Sequence, residues 1–287
     1  MYSSTLLKNT EFAESTMKNL IDFNSKIEFV LTDIDDTLTT EGQLYSNAYQ
    51  SLWRLHDAGL KVIPITGRPA GWCEMIARFW PVEGVIGENG GFYFRYAANK
   101  GESVKKMNRW FYSNESVMTQ NRLKLNAIEK EILSEVKGAA ISSDQFCRLM
   151  DLAVDFSEDV YPLSENDIQR IVNIFKRHGA QAKISSIHVN GWFGDYNKLT
   201  TIFRFFKNEF NLDESGVLEK CIFVGDSPND EPIFAKLRHT FGVANIKKFA
   251  GQMKTLPVYI SRSAGGDGFT EITNQILSVK NNQGATS

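Results

Sequence analysis

The chain has 287 residues, of which 42% are hydrophobic and 23% are charged, and its formal net charge at pH 7 is −2. This length suits one large domain or a core with a second module, and the hydrophobic content suffices for a real core. The small net charge argues against a nucleic-acid or anionic-membrane partner, because both favour a basic surface.

Hydropathy and cysteine spacing indicate the cellular compartment that we expect for this protein. No stretch reaches the roughly 18 apolar residues that a membrane-spanning helix needs, and the first sixteen residues lack the pattern of a secretory signal. We therefore expect a cytoplasmic protein without a membrane partner. The cysteines, Cys73, Cys147 and Cys221, are widely separated, which favours reduced thiols over a disulfide framework or a zinc site.

The predicted elements begin with a weakly periodic polar segment, residues 1–24, which we interpret as an N-terminal extension that is helical or partly ordered. The run KIEFVLTD then predicts a buried strand that ends at Asp33. Apolar residues from Leu44 to Leu55 follow at helical spacing, with Gly59 placed to end the helix. LKVIPITGR predicts the next strand, so these elements form a parallel βαβ unit.

The segment from 92 to 189 has a different pattern. GFYFRYA and SVKKMNRWFY predict a hairpin, residues 123–136 an amphipathic helix, and CRLMDLAVDF a strand. A helix capped by Ser164 and Asp167 is predicted next, and AQAKISSIHVN predicts one further strand. We predict that residues 92–189 form an inserted α/β cap domain.

The last part of the chain returns to the first pattern. Helical spacing from Leu199 to Phe210 precedes KCIFVGDSPND, an apolar strand that stops at Asp226. HTFGVAN and PVYISRS predict two more strands, and residues 268–277 predict a closing helix. The fold class is therefore α/β, and we expect a Rossmann-like parallel sheet in a catalytic core made of 25–91 and 190–287.

Acidic side chains follow two of the predicted strands. In an open parallel sheet, ligands bind outside the carboxyl ends of the strands, so one rim can gather Asp33, Asp35, Asp226 and Asp230. Two unit charges about 5 Å apart repel by about 3 kcal/mol at an effective dielectric of roughly 20. Since Mg²⁺ prefers hard oxygen ligands, the four aspartates predict a magnesium site.

The neighbouring groups suggest what such a site does. An aspartate beside a divalent cation can attack phosphorus and form an aspartyl phosphate. A second aspartate two positions on can protonate the leaving oxygen and then activate water. The Thr66 hydroxyl and Lys198, at the start of a predicted helix, can hold the remaining phosphate oxygens. The sequence therefore predicts a phosphoryl-transfer site.

These motifs resemble a known family. DIDDT, TGR, Lys198 and GDSPND, in that order, are similar to the four motifs of the haloacid dehalogenase superfamily of phosphohydrolases, over about residues 26–91 and 190–277. The resemblance implies Asp33 as nucleophile and Asp35 as general acid and base. It implies Thr66 as a hydrogen-bond donor to the phosphate and Lys198 as a partner of both the phosphate and the nucleophile. Asp226 and Asp230 would form the acidic end of the Mg²⁺ site.

The insert also resembles one group within that superfamily. A mixed α/β insert between the second and third motifs is similar to the large cap of Cof-like, sucrose-phosphate and trehalose-phosphate phosphatases and of phosphomannomutase. GENGG and GGDGF look like that group as well. Asp36 departs from it, because relatives usually have glycine there, and NGWFGDYNK is a longer approach to the lysine. Gly67, Arg68 and Asn89 are the candidate substrate-binding residues.

The function that follows is Mg²⁺-dependent hydrolysis of a small phosphomonoester, a sugar phosphate by resemblance, through a phosphoaspartate. One alternative is a sugar phosphomutase on the same fold, which returns the phosphoryl group to the sugar. A metal-dependent nucleotide-sugar glycosyltransferase that uses Asp33 and Asp35 is another, although it leaves Thr66 and Lys198 unexplained. A binding module with an inactive site is the third.

Overall fold

The computed structural model describes residues 17–98, 101, 103–185 and 187–284. Within them the chain forms two compact units. The first unit contains the described residues up to 65, 79–84 and those from 202 onward, and the second contains 66–78 and 85–201. The predicted core and cap boundaries at 92 and 189 rest on sequence pattern and stay a prediction.

The strands of the described residues are β1 Lys18–Asn19, β2 Phe29–Thr32, β3 Lys61–Pro64, β4 Val85–Gly87, β5 Phe92–Ala98, β6 Lys105–Phe111, β7 Ala140–Ile141, β8 Asp151–Asp155, β9 Gln181–Ile184, β10 His188–Trp192, β11 Cys221–Gly225, β12 His239–Gly242 and β13 Tyr259–Ile260. The α-helices are α1 Ser46–Asp57, α2 Ala70–Phe79, α3 Glu115–Glu135, α4 Glu165–Arg177, α5 Lys198–Phe210, α6 Glu214–Lys220, α7 Glu231–Phe234 and α8 Gly265–Gly284. Among these helices, none combines the length and apolar character that crossing a membrane requires.

The first unit is built on a six-stranded sheet with the order β1-β13-β12-β11-β2-β3. Every neighbouring pair is parallel, which confirms the predicted α/β class. β2 and β11 are buried along their whole length, as expected of strands covered on both faces. Phe206 and Phe210 of α5 pack their rings edge-on against Phe29, with centroids 4.8 and 5.0 Å away.

The predicted helix before Gly59 is present as α1. Gly59 has φ 76°, and its N–H donates to the carbonyl of His56 while the N–H of Leu60 donates to that of Leu55. A left-handed glycine thus ends the helix and lets the chain turn directly into β3.

The start of the described chain differs from the predicted helix or partly ordered tail. β1 adds an edge strand to the sheet through its parallel pairing with β13. Phe23 is 1% exposed and packs edge-on against Phe241 and Tyr259. A two-residue strand is too short to leave a sequence period, so only tertiary pairing reveals it. Residues 1–16, the rest of the predicted extension, lie outside the described residues.

The second unit contains two antiparallel sheets, β7-β8-β10-β9 and β4-β5-β6. The predicted hairpin is present as β5 and β6. One apolar core joins α3 and α4 to the four-stranded sheet through residues such as Ile128, Val154 and Phe175. Ser164 caps α4 by accepting from the N–H of Asp167 at 3.2 Å, as predicted.

One predicted strand of this unit is wrong. AQAKISSIHVN forms two antiparallel strands, β9 and β10, instead of one. The Ser185 hydroxyl oxygen accepts from the N–H of His188 at 3.0 Å. Serine stabilises turns by such local side-chain bonds, and this explains why the chain reverses within a run that has strand character on both sides.

Candidate functional site

The acidic cluster consists of Asp33, Asp226 and Asp230. Asp33 follows β2 and Asp226 follows β11, and these strands are neighbours in register, with Thr32 opposite Val224. The three carboxylates each place an oxygen within 4.8 Å of the other two, and all three residues are buried. The parallel sheet therefore gathers carboxylates from sequence positions almost 200 residues apart, as the sequence predicts.

Asp230 reaches the cluster because Gly225 has no side chain. A Cβ atom at Gly225 would lie 2.3 Å from a carboxylate oxygen of Asp230, which is too close for a non-bonded contact. The same carboxylate accepts from the N–H of Asp226 at 3.2 Å. A short 3-10 turn, Pro228–Asp230, brings the chain back to this point. The motif GDSPND thus has a steric reason for its glycine.

Two further donors orient Asp226. The Thr37 hydroxyl donates to one carboxylate oxygen at 3.2 Å, and the Asn245 amide donates to the other at 3.1 Å. Asn245 also donates to the carbonyl of Asp36 at 2.9 Å and accepts from the N–H of Gly265. Sequence reasoning did not identify Asn245, because GVAN carries no motif signal. Thr37 lies within DIDDT, which was a usable signal.

The cluster has the chemistry of a divalent-cation site. At an effective dielectric of roughly 20, carboxylates about 5 Å apart repel by about 3 kcal/mol per pair. Oxygens on opposite sides of one Mg²⁺ or Ca²⁺ ion are about 4 to 5 Å apart, which matches the spacing of Asp33, Asp226 and Asp230. Within the part of the chain that the structure describes, no second group of this kind is found. These residues fit a hard divalent metal.

Asp35 and Asp36 lie in the turn that follows β2, and both are half-buried. Asp35 is not a member of the cluster, so its place as a metal ligand and as the acid and base stays a prediction. Asp36 has φ 56° and donates its N–H to the Thr39 hydroxyl oxygen at 3.0 Å. Glycine adopts this left-handed backbone without strain, whereas here an aspartate adopts it.

Thr66 and Gly67 lie in the second unit, in the loop that follows β3. The Thr66 hydroxyl oxygen accepts from the N–H of Arg68 at 3.0 Å. A hydroxyl has one proton to donate, and this bond to its oxygen does not use that proton. The Asn89 amide nitrogen would lie 3.3 Å from a Cβ at Gly67. The structure thus brings Thr66, Gly67 and Asn89 together.

Arg68 is already engaged by other side chains of the second unit. Its guanidinium group pairs with Glu158 at 2.9 Å and with Asp144 at 3.7 Å, and it lies over the ring of Trp72 at 4.5 Å. The nearby His188 ring and then the Arg68 guanidinium lower the pKa of Glu158 to about 2. The predicted substrate contact of Arg68 stays a prediction.

Lys198 is the first residue of α5, as predicted, and only 4% of it is exposed. Asn197 caps this helix, because its side-chain oxygen accepts from the N–H of Thr200 at 3.0 Å. The helix dipole favours anions at such a terminus. Trp192, in the approach to the lysine, is 2% exposed and stacks on Tyr196, so its role is packing.

Sequence reasoning also missed the charged residues behind the Thr66 loop. Glu88 is fully buried and accepts hydrogen bonds from four peptide N–H groups. The Arg148 side chain is also fully buried and donates to the carbonyl of Gly67. GENGG was a signal for Glu88, although its glycines drew the interpretation of a turn. Nothing in the sequence around Arg148 marks it.

The chain is similar in sequence to a known phosphatase. No protein-family model matches the chain. A phosphoglycolate phosphatase of Methanobrevibacter smithii is 26% identical over 262 residues, which cover 88% of this chain and 99% of that protein. The chain thus spans almost the whole length of this relative.

Solved structures share the architecture over most of the chain. A Thermoplasma acidophilum protein has a TM-score of 0.67 at 18% identity, over 88% of this chain and 99% of its own. The sucrose-phosphatase of Synechocystis, solved with sucrose and phosphate, has a TM-score of 0.59 at 13% identity, over 88% and 98%. A haloacid dehalogenase-like hydrolase of Bacteroides thetaiotaomicron has a TM-score of 0.60 at 13% identity, over 88% and 100%.

The chain therefore shares its fold with a sucrose-phosphatase and with a haloacid dehalogenase-like hydrolase, as the resemblance of its motifs implies.

Proposed function

We propose that the protein is a Mg²⁺-dependent phosphatase that hydrolyses a small phosphomonoester through a phosphoaspartate. The observation that carries this proposal is the buried cluster of Asp33, Asp226 and Asp230 at the ends of adjacent parallel strands. Three carboxylates in one buried place need a cation. A bound Mg²⁺ neutralises them and the phosphoryl oxygens of a substrate.

Asp33 is the proposed nucleophile. Its carboxylate oxygen attacks phosphorus, the bond from phosphorus to the ester oxygen breaks, and an acyl phosphate forms on Asp33. Asp35 gives its proton to the departing alcohol oxygen. It then takes a proton from a water molecule whose oxygen attacks phosphorus, which releases inorganic phosphate and restores the Asp33 carboxylate.

Three groups donate hydrogen bonds to the phosphoryl oxygens: the Thr66 hydroxyl, the N–H of Gly67 and the Lys198 ammonium group. The bond from the Arg68 N–H to the Thr66 oxygen supports this role, because it leaves the hydroxyl proton free to be donated. Lys198 adds a positive charge at a helix N-terminus. Preorganised donors of this kind stabilise charge that develops in the transition state.

We propose a sugar phosphate as the substrate class, with Gly67, Arg68 and Asn89 near the substrate. The sucrose-phosphatase among the structural neighbours supports a sugar. The phosphoglycolate phosphatase relative supports a smaller acid instead, so 2-phosphoglycolate is the second candidate. A panel of phosphorylated sugars and 2-phosphoglycolate, assayed for phosphate release with Mg²⁺, separates them. An isomerised sugar phosphate without free phosphate would indicate a phosphomutase.

Asp33→Asn tests the mechanism. An amide is a poor nucleophile, so the variant is expected to lose at least about 1,000-fold in kcat for para-nitrophenyl phosphate with Mg²⁺. The matched control is Asp36→Asn, which changes an aspartate of the same turn outside the cluster and should stay within about fivefold of wild type. A fully active Asp33→Asn would remove Asp33 from the mechanism.

A further inference from the structure

The three consecutive carbonyl groups of Thr66, Gly67 and Arg68 all accept hydrogen bonds. The N–H of Asn89 donates to the carbonyl of Thr66 at 3.1 Å, and the N–H of Glu88 donates to that of Arg68 at 3.2 Å. The Arg148 guanidinium donates to the carbonyl between them, that of Gly67, at 2.9 Å. With its carbonyls held on one side, the loop is fixed in orientation.

The Glu88 carboxylate ties the end of this loop to a distant segment. It accepts from the N–H of Ala70, the first residue of α2, at 3.0 Å. It also accepts from the peptide N–H groups of residues 149–151 at distances between 2.5 and 3.1 Å. Burial, followed by the nearby charge of Asp151, raises the pKa of Glu88 to about 7. The carboxylate thus occupies a place where its ionised form is costly.

Arg148 is fixed by carboxylates of its own. Its guanidinium pairs with Asp144 at 2.8 Å and with Asp151 at 3.2 Å, and Asp151 is held in turn by the Asn190 amide at 2.9 Å. Although burial disfavours its charge, Asp151 and Asp144 raise the pKa of Arg148. We call Glu88, Arg148, Asp144 and Asp151 the buried brace.

Residues 88–90 also contact the helix that carries Lys198. The Thr201 hydroxyl of α5 donates to the carbonyl of Gly90 at 2.6 Å. A Cβ at Gly90 would lie 2.4 Å from the carbonyl oxygen of Asn197, so only glycine fits there. The Thr66 loop and the start of α5 both carry proposed hydrogen-bond donors to phosphate. Both therefore contact residues 88–90.

This arrangement has a high energetic cost. Glu88 and Asn89 have φ 43° and 55°, in the left-handed region that is strained for a residue other than glycine. Buried charges lose their hydration, and apolar side chains of similar volume are often at least as stabilising. A core selected for stability alone would not concentrate these costs on one loop.

We propose that Glu88 and Arg148 are positioning residues that hold the Thr66 hydroxyl and the Gly67 N–H in the orientation that receives a phosphoryl group. This deepens the proposed function and rests on it. The buried brace does not touch the reacting atoms. It acts through the three carbonyls of residues 66–68 and through the contacts of residues 88–90 with α5.

Glu88→Gln is the first test. The carboxamide places an NH₂ group among peptide N–H donors, so at least one bond of the carboxylate is lost and the loop shifts. In the full-length protein with para-nitrophenyl phosphate and Mg²⁺, kcat/KM should fall about 100-fold. The inhibition constant of inorganic phosphate should rise about tenfold, because donors to a bound phosphate are displaced.

The inhibition constant separates positioning from a merely structural role. A variant that is only less stable has fewer active molecules, which lowers the apparent kcat but leaves KM and the phosphate constant unchanged. Glu271→Gln is the matched control, since Glu271 also accepts from two peptide N–H groups, those of Arg262 and Ser263. This variant should keep kcat/KM and the inhibition constant of inorganic phosphate within twofold of wild type.

Arg148→Lys is the second variant. It keeps the charge, yet one ammonium group cannot bond Asp144, Asp151 and the Gly67 carbonyl together. It should show the same two effects at smaller size, about tenfold in kcat/KM, and it decides the question if Glu88→Gln does not fold. Folded variants whose kcat/KM and phosphate constant stay within twofold would overturn the positioning role. A wild type without Mg²⁺-dependent hydrolysis would instead overturn the proposed function.

Discussion

Single residues of the site are set by steric and conformational limits that the sequence only partly reveals. Asp33, Asp226 and Asp230 were predictable as a group, because each follows a recognisable buried strand. Arg148 was not, since a buried charge looks in sequence like a solvated one, and Glu88 was marked only by its place in GENGG. Asn245 orients Asp226 from the end of a segment, HTFGVAN, whose strand pattern carries no functional motif. Its role exists only because the fold brings it there.

Gly225→Ala is the sharpest prediction at this scale. The added methyl group would lie 2.3 Å from a carboxylate oxygen of Asp230, so this carboxylate must move out of the cluster. We expect the Mg²⁺ concentration for half-maximal activity to rise at least about tenfold, because a ligand carboxylate no longer reaches the cation. A magnesium titration of phosphatase activity measures it.

Gly216→Ala is the control for that experiment. Gly216 lies in α6, and the nearest atom to its Cβ would be 3.2 Å away, at the end of the flexible Leu212 side chain. Alanine favours helices over glycine by about 0.5 to 1 kcal/mol, so this variant should be at least as stable as wild type with an unchanged magnesium requirement. An unchanged requirement in Gly225→Ala would show that Asp230 is not a ligand.

At the scale of elements, the turn after β8 presents a charged group to the Thr66 loop. The Asp155 carboxylate accepts from the peptide N–H groups of residues 157–159 at 2.8 to 2.9 Å. This fixes Glu158 where it pairs with Arg68 at 2.9 Å and lies 3.0 Å from His188. Sequence patterns predicted β8 itself but not this turn, because its bonds depend on where β8 and the Thr66 loop end.

The pKa of Glu158 gives a pH prediction. Its value of about 2 lies below the ordinary value of 4.5, so the folded state favours the carboxylate. The stabilisation is complete above about pH 4.5 and is lost as the pH falls toward 2. Because the side chain is 28% exposed, we expect about 1 to 2 kcal/mol, less than the full linkage value of about 3.

Denaturant unfolding of wild type and Glu158→Gln between pH 2 and 7 measures that contribution. The variant should be less stable by this amount at pH 6, and the two proteins should converge near pH 2. A difference that persists unchanged at pH 2 would assign the effect to packing instead of charge.

Element prediction succeeded where one long period dominates and failed where it does not. The apolar runs of β2 and β11 and the spacing of α5 were sufficient signals. The reversal between β9 and β10 depends on local serine bonds, and β1 depends on pairing with β13. Helix α2 is absent from the predicted elements, because the predictions passed from the TGR loop to the cap without assigning Ala70–Phe79.

At the scale of the whole molecule, a cation that binds only the folded chain should stabilise it. At a Mg²⁺ concentration 100 times the dissociation constant, the gain is about 2.7 kcal/mol, which is a rise of several degrees in Tm for a protein of this size. Asp226→Asn should lose most of this rise, because it removes a charge from the cluster. Thermal unfolding with and without Mg²⁺ measures both.

Asp213→Asn is the control for the Tm experiment. Asp213 caps α6 by accepting from the N–H of Gly216 at 2.8 Å, away from the cluster. Asparagine caps helices about as well as aspartate, so Tm should change little and the magnesium rise should persist. An equal rise in wild type and Asp226→Asn would place the cation elsewhere.

The sequence by itself determined the parallel α/β architecture, the order of the motifs and the aspartates that follow β2 and β11. The reason is that a buried strand appears in the sequence as an apolar run followed directly by polar residues. Only the tertiary structure decided which groups meet: Thr37 and Asn245 at Asp226, Asp230 against Gly225, and the buried brace behind Gly67. Contacts such as Thr37 with Asp226 and Arg148 with Gly67 join residues far apart in the chain, and that of Asp230 with Gly225 depends on how the turn between them folds. A local sequence pattern does not record which partner a side chain will bond.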